Sequence, residues 1–159
     1  MTIVNLKFSD IFVTNDKNLT ISARGIGSCV CLVIYDRKNF IGGMMYAVLP
    51  KNESVANEIN KGRYVDTAVP AFLKEYLGLG GGFSDFGLYL VGGAELGTNN
   101  DLGIGSGNVK AVKEQLSKLN LELVGSDVGG GDGRICSLDM SKGLVVSKII
   151  GKEEKILSV

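Results

Sequence analysis

Three cysteines are the best nucleophiles in this 159-residue chain, and no histidine accompanies them. Cys29 ends a Gly25-Ile-Gly-Ser-Cys29 corner at the mouth of an apolar run, where glycines let another backbone or a substrate come close. A reactive thiol is therefore one reading of Cys29, and a small buried hydrophobe is the other. Cys31 and Cys136 lie within apolar segments and read as the latter. Without imidazole the chain can build neither a Ser-His-Asp triad nor a Cys-His dyad, since no other side chain has an unperturbed pKa between about 5 and 8. The cysteines and scattered carboxylates do not make the ligand set of a structural zinc site, so no metal is expected. Gly103-Ile-Gly-Ser-Gly107 offers N–H groups at a helix entrance, which can attract anions. A dinucleotide fingerprint, however, follows a strand directly, whereas polar Thr98-Asn-Asn-Asp101 precedes this stretch, and its third glycine is misplaced. No cofactor is expected.

Seventeen Lys and Arg balance seventeen Asp and Glu, and the sequence pI is near 6.3. That balance argues against nucleic acid as a partner, because such affinity comes from excess positive charge. The odd cysteine count does not form a disulfide framework and suits a reducing cytoplasm. The N-terminus lacks a basic start followed by a long apolar stretch, and no window is long and apolar enough to span a bilayer, so neither export nor membrane insertion is expected. The length predicts a single domain over residues 1–159. Glycine, at 23 residues, is about twice its average share and falls in clusters between apolar runs.

The elements that must position Cys29 follow from periodicity. Loose alternation predicts short strands over Ile3–Phe12 and Leu19–Ala23. Val30 to Tyr35 is a continuous apolar run that reads as a buried central strand, and Phe40–Leu49, stopped by Pro50, makes its hairpin partner. A polar surface loop is expected over Lys51–Gly62. Tyr64–Leu77 carries a helical pattern ended by Gly78, with Pro70 acceptable if Asp66 or Thr67 caps the helix. Phe86–Val91 predicts a strand, Gly92–Gly107 a glycine-rich loop and Val109–Leu119 a second helix. Strands over Leu121–Val124, Arg134–Leu138 and Leu144–Ile150 complete the set, with a turn at Met140–Gly143. Many strands with two helices predict an α+β domain.

Six motifs then carry a resemblance: Gly25-Ile-Gly-Ser-Cys29, Gly42-Gly-Met-Met-Tyr-Ala-Val-Leu-Pro50, Arg63-Tyr-Val-Asp66, Val91-Gly-Gly-Ala94, Ile104-Gly-Ser-Gly-Asn-Val109 and Asp127-Val-Gly-Gly-Gly-Asp-Gly-Arg134. In order and spacing they resemble the chemoreceptor glutamine deamidase (CheD) family across about residues 19–150. The resemblance implies a layered domain with two mixed β-sheets and about two main helices. It also implies a cytoplasmic chemotaxis role in which a cysteine converts glutamines of methyl-accepting chemoreceptors to glutamates. A CheC-type phosphatase is the second partner it implies.

The resemblance places the family nucleophile on Cys29 and substrate-binding positions on Gly27, Ser28 and Gly43. The family histidine falls on Tyr46 and its supporting threonine on Ala23, so two of the three catalytic positions are changed. Deamidation needs a thiolate, an acid for the departing ammonia and a base for the water that opens the thioester. A phenol with an ordinary pKa near 10 is a poor base at neutral pH, and losing positioned acid–base catalysis costs on the order of 10²–10⁴ in rate. The expectation is a CheD-like protein that binds a receptor or a phosphatase and is impaired as a deamidase. The alternatives are a still active cysteine-dependent deamidase and an inert interaction domain.

Overall fold

The computed structural model describes residues 2–52, 60–95, 97 and 103–158. Most of the expected Lys51–Gly62 loop, and the whole of Thr98–Asp101, lie outside the described residues. The strands are β1 (Thr2–Leu6), β2 (Ile11–Thr14), β3 (Leu19–Ile26), β4 (Val30–Asp36), β5 (Ile41–Ala47), β6 (Phe86–Gly92), β7 (Gly125–Val128), β8 (Arg134–Asp139), β9 (Leu144–Ile149) and β10 (Lys155–Ile156). Among the described residues two α-helices, α1 (Val65–Gly78) and α2 (Ile104–Lys118), join them, with a short 3-10 turn over Lys61–Arg63.

The strands form two five-stranded mixed sheets, one ordered β1-β3-β8-β9-β10 and the other β2-β5-β4-β6-β7. Every residue of β4 is buried, which is why its sequence is apolar without alternation. Its side chains nevertheless point alternately to two cores. Cys31, Val33 and Tyr35 join Ile21, Ala23, Cys136 and Leu138 between the sheets. Val30, Leu32 and Ile34 join Phe72, Tyr76, Val112 and Leu116 beneath the helices. The architecture is thus an α+β domain in three layers: sheet, sheet, helices. Each fully buried Leu, Ile or Val of β4 stabilises this arrangement by about 1.5–3 kcal/mol.

Several expected elements coincide with observed ones: the β4–β5 hairpin, α1, β6, and the β8–β9 hairpin with its turn at Met140–Gly143. Others differ. Ile3–Phe12 is two strands in different sheets, because the Asp10 side chain accepts from the Lys7 N–H at 2.7 Å and Ser9 turns at φ 73°. Leu121–Val124 is not a strand: Leu121 and Leu123 pack under the helix layer, and pairing with β6 begins at Gly125. Neither Asp66 nor Thr67 caps α1. The helix starts after Tyr64, where the carbonyls of Leu49 and Pro50 accept from the N–H groups of Val65 and Asp66 at 2.8 and 3.2 Å. Pro70 therefore sits in the second turn and withholds the bond owed to the Asp66 carbonyl.

Helix α2 starts at Ile104, five residues before the predicted Val109, taking Gly105 and Gly107 into its first turns. A Cβ on Gly105 would lie 2.2 Å from the Ala94 carbonyl oxygen, so glycine allows α2 to press against the turn after β6. No described helix is long and apolar enough to cross a membrane.

Candidate active site

The corner between β3 and β4 carries Gly27, Ser28 and Cys29, just before the strand begins at Val30. Its three successive carbonyls are all bound from outside. The Gly27 oxygen accepts from the Ala94 N–H at 2.9 Å, and the Cys29 oxygen from the Gly93 N–H at 2.8 Å. Between them, the Ser28 oxygen accepts from Nδ2 of Asn108 at 2.9 Å. The same Asn108 nitrogen donates to the Val48 oxygen, also at 2.9 Å, on the segment leaving β5. The Gly93–Ala94 turn is braced in its own right. The Gly92 carbonyl accepts from the Gly129 N–H at 3.0 Å, and the Gly130 carbonyl from the Glu95 N–H at 2.8 Å. Arg134, buried beside this turn, pairs with Asp127 at 3.2 Å, and the Ser147 hydroxyl donates to the same carboxylate at 2.7 Å. The glycine-rich Asp127–Arg134 motif thus supports the turn that supports the cysteine corner.

Cys29, Ala23 and Tyr46 come together in the core between the sheets. Cys29 is 9% exposed, and burial pushes its thiol pKa up against the opposing effect of a hydrogen bond from its own backbone N–H. Even an ordinary thiol is only a few per cent thiolate at neutral pH, so Cys29 is less ionised still. Cys31 and Cys136 are fully buried; burial raises Cys31 well above the usual thiol range and pushes Cys136 up to about 12. Tyr46 stands opposite Cys31 across the β4–β5 ladder. Its ring packs edge-on against Phe8 at 5.1 Å, and its hydroxyl donates to the Arg24 carbonyl at 2.9 Å. Burial, and then the neighbouring Cys31 and Cys29, raise its pKa, so the phenol stays protonated. Its single proton is committed to the main chain and is not aimed at a thiolate. Ala23 offers only a methyl group, with Cys136 as its register partner on β8.

Gly43 lies elsewhere. It is on the helix-facing side of β5, where an added Cβ would meet the Phe12 carbonyl oxygen at 2.6 Å and Phe72 at 3.1 Å. Tyr46 faces the other core. A pocket of about 310 Å³ opens beside Tyr46 at this edge of the site, lined by Leu6, Lys7, Phe8, Arg24 and Tyr46. Asn108 was not among the site residues read from sequence. It directly precedes the predicted Val109–Leu119 helix and its two partners lie 80 and 60 residues away along the chain, so the local pattern carries no signal for it. Among the described residues, no group of three or more Cys, Asp or Glu side chains is placed to hold a metal ion.

The chain matches the family model described as CheD chemotactic sensory transduction over residues 48–149, a span that includes Asn108, Asp127 and Arg134. It is 41% identical over 135 residues to a Pyrococcus abyssi protein named probable chemoreceptor glutamine deamidase CheD, covering 82% of this chain and 83% of the relative. A relative of the same name from Thermococcus kodakarensis is 36% identical over 142 residues, covering 87% and 88% of the two chains. Another, from Desulforamulus reducens, is 34% identical over 137 residues, covering 84% and 82%. With this similarity running through the sheets and both helices, the chain belongs to the CheD family.

Proposed function

We propose that this chain serves chemotaxis in the cytoplasm as a binding member of its family, engaging a chemoreceptor or a CheC-type phosphatase while glutamine deamidation is impaired. The observation that carries the reading is the state of Tyr46: a buried, protonated phenol whose hydrogen bonds to the Arg24 carbonyl, at the position where the family resemblance expects a base. Deamidation would have the Cys29 sulfur attack the carboxamide carbon, forming a C–S bond. Breaking the C–N bond then requires a proton for the departing ammonia, and water must afterwards be deprotonated to hydrolyse the thioester to glutamate. Neither Tyr46 as placed nor Ala23 provides the acid or the base. The names of the relatives support receptors as the partner class, and the pocket bordered by Phe8, Lys7 and Arg24 supplies a surface next to the corner.

The test uses the purified 159-residue chain with a receptor cytoplasmic fragment and, separately, with a CheC-type phosphatase, following amide-to-acid conversion of the receptor fragment by peptide mass and binding to each by calorimetry. Binding without conversion is the expected result. Conversion by the native chain that disappears in Cys29→Ser would establish the active deamidase instead, and absence of binding to either partner would leave the inert domain.

A further inference from the structure

Asn108 is the fifth residue of α2 and is fully buried. Its two amide hydrogens are both used, on the Ser28 and Val48 carbonyls at 2.9 Å each, while its Oδ1 receives no hydrogen bond. A buried amide employed only as a double donor, with its acceptor left unsatisfied, is unfavourable for simple packing. Both carbonyls it holds flank the candidate site. Val48 is two residues beyond Tyr46, and Ser28 shares a peptide plane with the N–H of Cys29.

That shared plane carries the inference. A trans peptide fixes its N–H antiparallel to its C=O, so a hand on the Ser28 oxygen sets the direction of the Cys29 N–H. This N–H belongs to Cys29 itself, and its dipole acts on the thiol against the effect of burial. The flanking carbonyls of Gly27 and Cys29 are held by main-chain amides that no side-chain substitution removes, which leaves Asn108 as the side chain in control of the middle peptide. We propose that Asn108 is a positioning residue: it fixes the orientation of the Ser28–Cys29 peptide, which carries the cysteine N–H, and locks the cysteine corner to the segment following Tyr46. The proposal rests on the reading of Cys29 as the thiol of the site.

The experiment compares the native chain with Asn108→Ala, Asn108→Asp and a control on the same helix, Val112→Ala, which removes buried volume without touching the corner. Two readouts are taken: hydrogen exchange at the Gly93 and Ala94 amides, and the pH profile of Cys29 alkylation by iodoacetamide, followed on the Cys29 peptide. In both Asn108 variants, exchange at Gly93 and Ala94 should rise at least about tenfold above the Val112→Ala value, because their acceptors are no longer held. The midpoint of Cys29 alkylation should move to higher pH in the Asn108 variants and stay in place in Val112→Ala. If either readout matches the control in the folded variants, the proposal fails. If both Asn108 variants lose the whole fold, Asn108 belongs to the core and the proposal likewise fails. Deamidation by the native chain would overturn the functional reading above but would leave this comparison intact, since neither readout depends on turnover.

Discussion

The hydroxyl of Tyr46, on β5, donates to the main-chain carbonyl of Arg24, on β3, at 2.9 Å and so fastens one sheet to the other at the edge of the cysteine corner. A residue standing where the family resemblance expects a base therefore acts as a tie between layers. Tyr46→Phe should keep the ring against Phe8, lose the tie and destabilise the fold by about 1 kcal/mol. Urea midpoints would measure this, while Cys29 alkylation should be unchanged.

Replacing the phenol with an imidazole has the opposite emphasis. In Tyr46→His a titratable base stands in the same core as Cys29, and imidazolium favours the thiolate. Cys29 alkylation at pH 7 should accelerate at least about tenfold and its pH profile should shift downward. An unmoved profile in the folded variant would show that the ring does not reach the thiol.

Restoring the threonine at Ala23 should be costly by itself. Ala23 is fully buried opposite Cys136, so the added atoms, one of them a hydroxyl, must enter the core away from water. Ala23→Thr should destabilise by about 1–3 kcal/mol. Thermal melts of Ala23→Thr and of its double variant with Tyr46→His would check this, and a neutral result would mean that the site has room for the missing group.

Two glycines of α2 should respond with opposite sign to the same change. At Gly105 an added Cβ meets the Ala94 oxygen at 2.2 Å, backbone that cannot swing aside, so Gly105→Ala should destabilise by about 2 kcal/mol or more. At Gly107 the nearest atom is Cγ of Pro50 at 3.7 Å, an ordinary contact. There the helix preference for alanine prevails, and Gly107→Ala should stabilise by about 0.5–1 kcal/mol. Paired denaturation curves decide both signs.

Acid sensitivity should trace in part to Asp36 at the far end of β4 from Cys29. Burial acts to raise its pKa, but hydrogen bonds from the Asn39 side chain, the Gly82 and Asn39 backbones and the Tyr76 hydroxyl outweigh it and hold the carboxyl at about 2. An unfolded aspartate titrates near 3.9, so the folded value is the lower one. Ionised Asp36 then contributes roughly 2 kcal/mol at pH above about 4, lost as the pH falls through about 2. Asp36→Asn should flatten the pH dependence of unfolding free energy across that window.

Much of the fold was legible because burial is written into periodicity. The unbroken apolar run of β4 could only be a strand covered on both faces, and the alternation in β8 matches its single buried face. The cysteine corner was legible as well, through its glycines. Illegible from local pattern were the features that depend on remote backbone: the division of Ile3–Phe12 between two sheets, the start of α1 on the carbonyls of Leu49 and Pro50, and the early start of α2 against Ala94. Asn108 belongs with these, because its partners are 80 and 60 residues away along the chain.

By itself the sequence determined the residue types available for chemistry: a thiol at Cys29, a phenol at Tyr46, a methyl at Ala23 and no imidazole anywhere. It also determined the family. Tertiary structure alone decided what those groups can do, because a pKa and a hydrogen-bond partner are set by the surroundings into which a side chain is packed. Stacking the two sheets desolvates Cys29 and directs the Tyr46 hydroxyl to the Arg24 main-chain carbonyl, while α2 brings Asn108 to the peptide before the cysteine.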